Sequence, residues 1–202
     1  MADATIRRSA LAGLAVPLSA GSGAGITLLE RHPLVMINLR GVADAAFCDA
    51  VRAACGAELP VAPNTSGTGP CGEILKLGPD EWLLVADAGA AWSEKMIIPG
   101  ATLTDVSHAR VAVRVKGAKT RDMLAKGCAI DLHPRQFPPG TCVQTAIAKI
   151  NVILHQPQDA DGFVLYAPRS FAGSFWHWLT GSAAEFGCHV IAPPGDGSMP
   201  RR

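Results

Sequence analysis

The sequence is poor in charged and aromatic residues, and it lacks the short motifs of several enzyme classes. Only 17% of its 202 residues are charged and only 5% are aromatic. The 18 basic residues nearly balance the 17 acidic ones without forming a basic stripe, which argues against nucleic acid or an anionic membrane as a partner. No GxSxG elbow, Walker loop or HExxH helix is present. The sequence therefore lacks these signatures of hydrolases, nucleotide-binding proteins and zinc proteases.

Cysteine and histidine also fail to form recognisable sites. The six cysteines contain no CxxC pair, and the six histidines do not fall at metal-ligand spacing. We therefore expect buried thiols in a reduced cytoplasm, rather than disulfides or a metal site. The cysteines are Cys48, Cys55, Cys71, Cys128, Cys142 and Cys188.

What the sequence does contain is apolar residues, at 49% of the chain. Together with the low charge, this composition predicts a well-buried globular protein, either one domain or two half-size modules that share a core. It also predicts a surface that is covered by partner subunits, because free monomers rarely expose large apolar patches.

The N-terminal segment has two interpretations. Arg7 and Arg8 precede an apolar run that looks like an export signal, but Pro17 and several glycines interrupt that run. We expect residues 1–30 to form a peripheral arm, partly helical, that docks on a partner; export with cleavage is the alternative. No later stretch is long enough to span a membrane.

The first predicted helix has clear local signals at both ends. Asp44 is expected to cap it, and Gly56 to end it in the left-handed conformation. Phe47, Val51 and Cys55 recur at four-residue spacing, so they share the face that packs on a core.

Two further helices are predicted in the second half. A short helix over AKTRDMLAK ends at Gly127, and Ser170 is expected to cap the helix SFAGSFWHWLTGSAAEFG. This last helix carries an aromatic stripe at helical spacing, which is typical of a core-facing side. The stripe consists of Phe171, Phe175, Trp178 and Leu179.

Short alternating segments predict the strands, and turn residues predict the connections. Residues 58–72 are predicted to be a loop, 88–102 a linker, and 128–140 an extended crossing with three prolines. Residues 142–156 read as one long strand or two bent ones. The other predicted strands are LVMINLRG, EILKLG, EWLLVAD, VAVRVKG, FVLYAP and CHVIAP.

These elements predict an α+β fold with mostly antiparallel sheets. Each half runs strand, helix, strand, strand, and the helices are expected to stack on one face. The predicted organisation is an arm over 1–30, a single domain with halves 31–100 and 101–193, and a disordered tail over 194–202.

Three groups of polar residues suggest chemistry but are better explained as turns. Asp105, Ser107 and His108 are the residue types of a hydrolase triad, yet three neighbours cannot readily fold back on one another, so Asp105 or Ser107 is expected to bond backbone. The pairs Asp80 with Glu81 and Asp159 with Asp161 are expected to be exposed charges in turns, the first beside a buried Trp82.

Several segments, in order and at fitting spacing, resemble one known family. They are ITLLERHPLVMINLRG, LPVAPNT, LGPDEWLLV, TDVSHARVAVRVKG, LAKGCAIDLHPRQFPPGTCVQT and SFAGSFWHWL. They resemble the gamma subunit family of heterotetrameric sarcosine oxidase. More distantly, TDVS, VKGAKTRDML and FVLY are similar to the folate-binding fold of the glycine-cleavage T-protein.

The resemblance implies membership of a complex with alpha, beta and delta subunits. That complex oxidises sarcosine with FAD, covalently held FMN and NAD. With tetrahydrofolate it yields methylene-tetrahydrofolate, glycine and hydrogen peroxide. The resemblance places the flavins and the folate in the partner subunits, and it implies no cofactor in this chain.

The T-protein resemblance also indicates where a catalytic group is missing. In that family an Asp on a glycine-rich turn, after the strand that follows the crossing, meets the folate amine. The matching stretch QTAIAKINVILHQ has no glycine turn and no carboxylate, and Lys149 does not replace a general base. We therefore expect no catalytic, cofactor-binding or metal residue in this chain.

Two other functions stay open from the sequence alone. One is a stand-alone folate-binding or one-carbon transferase module, and the weaker one is a periplasmic binding protein. The polar residues nearest the places where the related fold does chemistry are Asp105, His108, Asp131, His133 and Lys149.

Overall fold

The computed structural model describes residues 9–16, 25–32, 34–70, 72–89, 92, 96–158 and 161–191. These residues form a five-stranded sheet and a six-stranded sheet with helices. The strands are β1 (Ile26–Glu30), β2 (Leu34–Arg40), β3 (Ser66–Gly69), β4 (Gly72–Gly78), β5 (Glu81–Asp87), β6 (Thr102–Asp105), β7 (Arg110–Lys116), β8 (Thr141–Ile147), β9 (Ile150–Gln156), β10 (Phe163–Pro168) and β11 (Cys188–Ile191). The α-helices are α1 (Ala45–Cys55), α2 (Thr120–Ala125) and α3 (Ala172–Ala183).

The two sheets are built from one repeated unit. In the first sheet the order is β3-β4-β5-β2-β6, and in the second it is β11-β1-β7-β10-β9-β8. The unit β2-α1-β3-β4-β5 therefore matches β7-α2-β8-β9-β10, with the same strand neighbours. The predicted α+β class with mostly antiparallel sheets is confirmed, and each unit has one strand more than predicted. The pairing of β1 with β11 is parallel.

Each sheet includes a strand that lies outside its own predicted half of the chain. β1 pairs with β7 in the second sheet, and β6 pairs with β2 in the first. Strand pairing therefore crosses the predicted boundary at 100/101, and β1 comprises residues 26–30 of the predicted arm. β1 is a sheet strand because its Ile26 and Leu28 are fully buried. The predicted tail over 194–202 lies outside the described residues.

Alternating side chains show that the sheets pack face to face, with helices outside. In β5, Trp82 and Leu84 join the core under α1, whereas Leu83 and Val85 join the core between the sheets. In β10, Tyr166 also lies in the inter-sheet core. The order is thus α1, first sheet, second sheet, and then α2 with α3. Central strands are therefore buried on both faces, and in β2 the successive residues Met36 and Ile37 are both buried.

The first helix follows its sequence signals. The Asp44 carboxylate accepts a hydrogen bond from Phe47 N at 2.8 Å, and Gly56 ends the helix with φ of 66°. Phe47, Val51 and Cys55 are buried between α1 and the first sheet. The predicted cap, stop and core face of α1 are all confirmed.

The third helix departs from prediction at its start. Residues 169–171 form a 3₁₀ turn, and Ser170 makes no capping bond. Phe171 is 52% exposed, and the buried aromatic residues are Phe175 and Trp176. Trp178 is partly buried against Gly127, where an added Cβ would lie 2.5 Å from the indole ring. Gly127 is therefore needed for this close approach rather than for a left-handed helix end.

The segment expected as a long or bent strand is a hairpin. β8 and β9 pair antiparallel around the two-residue turn of Ala148 and Lys149, whose φ angles are 51° and 67°. Two positive φ angles are typical of a type I′ turn, which usually contains Asn or Gly. Neither residue gives that signal, which explains why the turn was not predicted.

The predicted loop and the predicted linker both contribute strands or core residues. Residues 66–69 of the expected loop form β3, and Trp92 and Ile98 of the expected linker are buried in the core under α1.

Near the N-terminus, Leu11 is buried and Trp176 Nε1 donates to Leu14 O at 3.1 Å. This part of the expected arm therefore packs on α3 of its own chain. No helix among the described residues is long and apolar enough to cross a membrane.

Candidate functional site

The turn between β6 and β7 holds the residues that suggested a hydrolase triad. Asp105 Oδ1 accepts from Ser107 N at 2.8 Å. Ser107 Oγ accepts from Met36 N at 2.9 Å and lies 3.4 Å from Met36 O. His108 is exposed. Asp105 and Ser107 therefore bond backbone at a turn, as predicted, and Ser107 ties the turn to β2.

The other sequence candidates also serve turns. Asp131 Oδ1 accepts from His133 N at 2.8 Å, and His133 Nδ1 accepts from Arg135 N at 3.2 Å. Lys149 occupies the hairpin turn. These side chains shape the crossing and the hairpin, and the structure does not gather them into one site with Asp105 and His108.

A polar network that the sequence did not indicate lies at one end of the inter-sheet core. Arg31 Nη1 donates to Glu73 Oε2 at 3.0 Å, and Arg31 Nη2 donates to Asp87 at 3.2 Å. Tyr166, which is fully buried, donates to the same Glu73 oxygen at 3.3 Å. Burial, followed by the charge of Glu73, raises the pKa of Tyr166 well above its usual value, so its hydroxyl stays a donor.

His155 and Cys142 sit side by side in the same core. His155 is fully buried, and its Nε2 lies 3.0 Å from Ser66 Oγ. Burial lowers the pKa of His155 to about 4. The neighbouring Cys142 thiol donates to Thr65 O at 3.1 Å, and burial raises its pKa to about 11. An imidazole with a pKa of about 4 is a weak base, and a thiol that stays protonated is a poor nucleophile.

The buried His155 predicts a pH dependence of stability. Its folded-state pKa lies below the unfolded value of 6.5, so the unfolded chain takes up the proton first as pH falls. The free energy of unfolding is expected to decrease by up to about 3 kcal/mol between pH 6.5 and pH 4 because of this group. Urea unfolding at several pH values measures it, and His155→Leu is the control. Equal pH slopes for the two proteins would contradict the prediction.

The described residues contain neither a metal-ligand cluster nor a glycine-rich turn placed to bind phosphate. No group of three or more His, Cys, Asp or Glu in those residues could hold a metal ion. Gly67, Gly69 and Gly72 have the GxGxxG spacing, but they lie in the β3–β4 hairpin. The dinucleotide fingerprint needs that spacing between a strand and a helix. An added Cβ at Gly72 would lie 2.2 Å from Val85 O, so this glycine serves close strand packing.

A groove opens at the other end of the inter-sheet core. It lies between the β8–β9 hairpin and the ends of β7 and β10, and it has a volume of about 560 Å³. Arg110, Gln144 and Pro168 also line an adjoining cavity of about 210 Å³, which reaches Asn38 and Glu81 of the first sheet. Arg110 is therefore the charged residue common to both cavities.

Comparisons of the sequence identify the family. Residues 40–185 match the model of the sarcosine oxidase, gamma subunit family. The gamma subunit of sarcosine oxidase from Corynebacterium sp. strain U-96 is 34% identical over 95% of this chain and 98% of that protein. The gamma subunit from Corynebacterium sp. strain P-1 is 32% identical over 93% of this chain and 95% of that protein.

Structural comparisons agree. A chain of heterotetrameric sarcosine oxidase from Corynebacterium sp. U-96, solved with pyrrole 2-carboxylate, superposes with a TM-score of 0.74 at 28% identity over 94% of this chain and 99% of that one. Glycine cleavage system aminomethyltransferase T from Bartonella henselae has a TM-score of 0.56 at 18% identity, over 78% and 46% of the two chains, and so shares the fold. The family match spans most of the sequence and the relatives align almost end to end, so this chain belongs to the sarcosine oxidase gamma subunit family.

Proposed function

We propose that this chain is the gamma subunit of a heterotetrameric sarcosine oxidase and that it supports the complex without supplying a catalytic group. The observation that carries the proposal is the almost complete alignment with curated gamma subunits, together with the structural match to a chain of the heterotetramer. A module that matches a whole subunit, rather than a fragment of a larger enzyme, fits a partner role.

The geometry of the polar residues supports the non-catalytic part of the proposal. A general base must reach the proton that it removes, with a pKa suited to the task. Asp105 and Asp131 accept backbone hydrogen bonds in their own turns. Burial lowers the pKa of His155, which makes it a weak base, and raises the pKa of Cys142, which keeps its thiol protonated. The described part of the chain thus offers no matched pair of nucleophile and base.

The cofactors of the reaction are proposed to lie in the alpha, beta and delta subunits. FAD, FMN and NAD carry phosphates, which are commonly bound at a glycine-rich turn that opens a helix. The glycines with that spacing lie in a hairpin here, so the residues that the structure describes do not fit such a group. A cytoplasmic location is part of the proposal, and the free thiols of Cys48, Cys128, Cys142 and Cys188 fit a reducing compartment.

Alanine substitutions test the proposal directly. Single changes at Asp105, His108, Asp131, His133 and Lys149 are expected to leave turnover of sarcosine, per mole of assembled complex, within about twofold of the unmodified value. Removal of a true acid or base costs about a hundredfold or more. The buried Val113 supplies the control, because Val113→Ala is expected to lower the yield of complex but not its turnover.

One outcome would overturn the non-catalytic assignment. A hundredfold loss of turnover at any of these five positions, with assembly unchanged, would show that the subunit reaches an active site. The assay needs sarcosine with and without tetrahydrofolate, so that oxidation and one-carbon capture are measured separately.

A stand-alone folate-binding or one-carbon transferase module is the second candidate. It is favoured by a curated aminomethyltransferase from Saccharopolyspora erythraea, which is 29% identical over 60% of this chain. The chain spans only 34% of that protein. Titration of the isolated chain with tetrahydrofolate distinguishes the two, since stoichiometric binding in the absence of other subunits would support the second candidate.

A further inference from the structure

The two sheets differ at one edge of the repeated unit. In the second sheet β1 lies beside β7, the first strand of its unit, and β11 lies on the outer side of β1. In the first sheet β6 lies beside β2, the first strand of the other unit. Both β1 and β6 run antiparallel to that first strand. Among the described residues, no strand lies on the outer side of β6, so the position that β11 fills in the second sheet is open in the first.

Leu103 of β6 and Leu28 of β1 are equivalent residues of the two sheets. Leu103 pairs with Leu39, the last residue but one of β2. Leu28 pairs with Val115, the last residue but one of β7. Leu28 also pairs with Val190 of β11 and is fully buried, whereas Leu103 is only partly buried against the core under α1. The open position therefore leaves an apolar side chain uncovered at the edge of the first sheet.

The backbone of Leu103 is oriented to accept a further strand. Val106 N donates to Met36 O at 2.8 Å, so the N–H of Val106 points toward β2. Because backbone groups alternate in direction along an antiparallel pair, the N–H of Thr104 also points toward β2. The N–H and C=O of Leu103, which lies between them in this alternation, point away from the sheet. An added strand can bond both groups.

The direction of β11 indicates what kind of chain adds at β6. β11 is parallel to β1, so the equivalent added strand is parallel to β6. Two copies of this chain that paired their β6 edges about a two-fold axis would place these strands antiparallel. A two-fold dimer therefore does not reproduce the arrangement of the second sheet, whereas a segment of a different chain can.

We propose that an extended segment of another subunit adds to the outer edge of β6, parallel to it, and places an apolar side chain against Leu103 as Val190 is placed against Leu28. The inference rests on the proposed function, because it requires the other subunits of the complex. Backbone hydrogen bonds to a strand edge provide affinity in this mode of recognition, and alternate side chains provide specificity. The residue that faces Leu103 is uncharged, because a charge buried beside this core would be unfavourable.

Affinity for the other subunits is the first test. The alpha, beta and delta subunits are expressed together, and their dissociation constant for the purified chain is measured. Leu103→Pro removes the outward N–H without removing a bond to β2, since proline is tolerated at such an edge position. It is expected to weaken binding by at least about tenfold, and by more than Leu103→Ala, which loses the side chain but keeps the N–H. Equal affinities of the two variants would contradict strand addition.

A proline at another sheet edge is the matched control. Gln144 lies in the edge strand β8, where Cys142 N bonds outward to Asn64 O at 3.0 Å, so the N–H of Gln144 points outward as well. Gln144→Pro is expected to change the affinity less than about twofold. A loss equal to that of Leu103→Pro would contradict the assignment to β6. Thermal melts of the three variants check that the fold is retained.

Hydrogen exchange at the Leu103 amide tests the same contact without a substitution. Formation of the complex is expected to slow this exchange by at least about tenfold, because the N–H becomes hydrogen-bonded. Val106, whose N–H already bonds to Met36 O, is the internal reference. Unchanged exchange at Leu103 would overturn the proposal. Slow exchange in the isolated monomer would do so too, because the chain itself would then cover the edge.

The outcomes separate this inference from the proposed function. If the unmodified chain does not bind the other subunits, both fail. If it binds and Leu103→Pro binds equally well, only the assignment to β6 fails. If the isolated chain is a dimer that Leu103→Pro dissociates, the edge is occupied by a second copy and the partner-segment proposal is wrong.

Discussion

Trp82→Ala is expected to destabilise the chain by about 3–5 kcal/mol. Trp82 is fully buried, and its ring centroid lies 5.8 Å from that of Phe47 on α1. Its Nε1 donates to Pro60 O at 2.8 Å, and Lys76 Nζ lies 4.2 Å from the ring centroid on the indole face. The substitution therefore removes the contact between α1 and the first sheet, the tie to the preceding loop and a cation–π contact in one step.

Urea unfolding of the purified chain measures the effect, with Trp82→Phe as the control. Phenylalanine keeps an aromatic ring beside Phe47 but loses the bond to Pro60, so its cost is expected to be about half that of alanine. In the assembled complex, Trp82→Ala is expected to lower the yield while leaving turnover per complex unchanged. Equal stability of the alanine variant and the unmodified chain would show that the Trp82 side chain does not stabilise the packing of α1 on the first sheet.

The cap, the stop and the core face of α1 could be predicted because their signals are local. Asp44, Gly56 and the spacing of Phe47, Val51 and Cys55 act within one helix, so their signals do not depend on the rest of the chain. The GPDEW turn and the burial of Trp82 are local in the same sense. Signals of this kind placed most elements of both units near their observed bounds.

The placement of β1 in the second sheet and of β6 in the first has no local signal. β1 pairs with β7, which lies more than 80 residues further on, because both have apolar residues to bury on the same face. An alternating pattern predicts a strand but does not identify its partner. For this reason the sequence suggested two consecutive halves, whereas each sheet of the structure contains a strand from outside its own half.

The polar network between the sheets was missed for a related reason. Tyr166 and His155 lie in the second sheet and Glu73 lies in the first, in segments that are otherwise apolar or mixed. Only the packing of the two sheets brings Tyr166 to Glu73. A weak signal did exist, since Tyr166 is the only tyrosine and His155 ends the apolar run of β9. A buried polar residue in an apolar strand needs a partner, which predicts a network without identifying its members.

The largest electrostatic effect is expected at Glu73 in that network. Glu73→Leu leaves Arg31 and Tyr166 without their shared acceptor, and the side chains of Arg31 and Glu73 are only 16% and 15% exposed. Removal of one partner from a buried ion pair costs about 3–5 kcal/mol because the remaining charge is uncompensated. Asp87 also contacts Arg31, but its side chain is 83% exposed. Solvent therefore screens the Asp87 charge, which compensates the charge of Arg31 only weakly.

A double-mutant cycle separates the net contribution of this ion pair to the free energy of unfolding from the loss of stability when only one partner is removed. Arg31→Met with Glu73→Leu removes both charges, and the double variant is expected to recover most of the stability that Glu73→Leu loses, since apolar side chains can fill such a site. Asp87→Ala, at the exposed end, is expected to cost less than about 1 kcal/mol. Urea unfolding at pH 7 gives all of these values. Additive losses in the double variant would contradict the network, because they would show that Arg31 and Glu73 stabilise the fold independently.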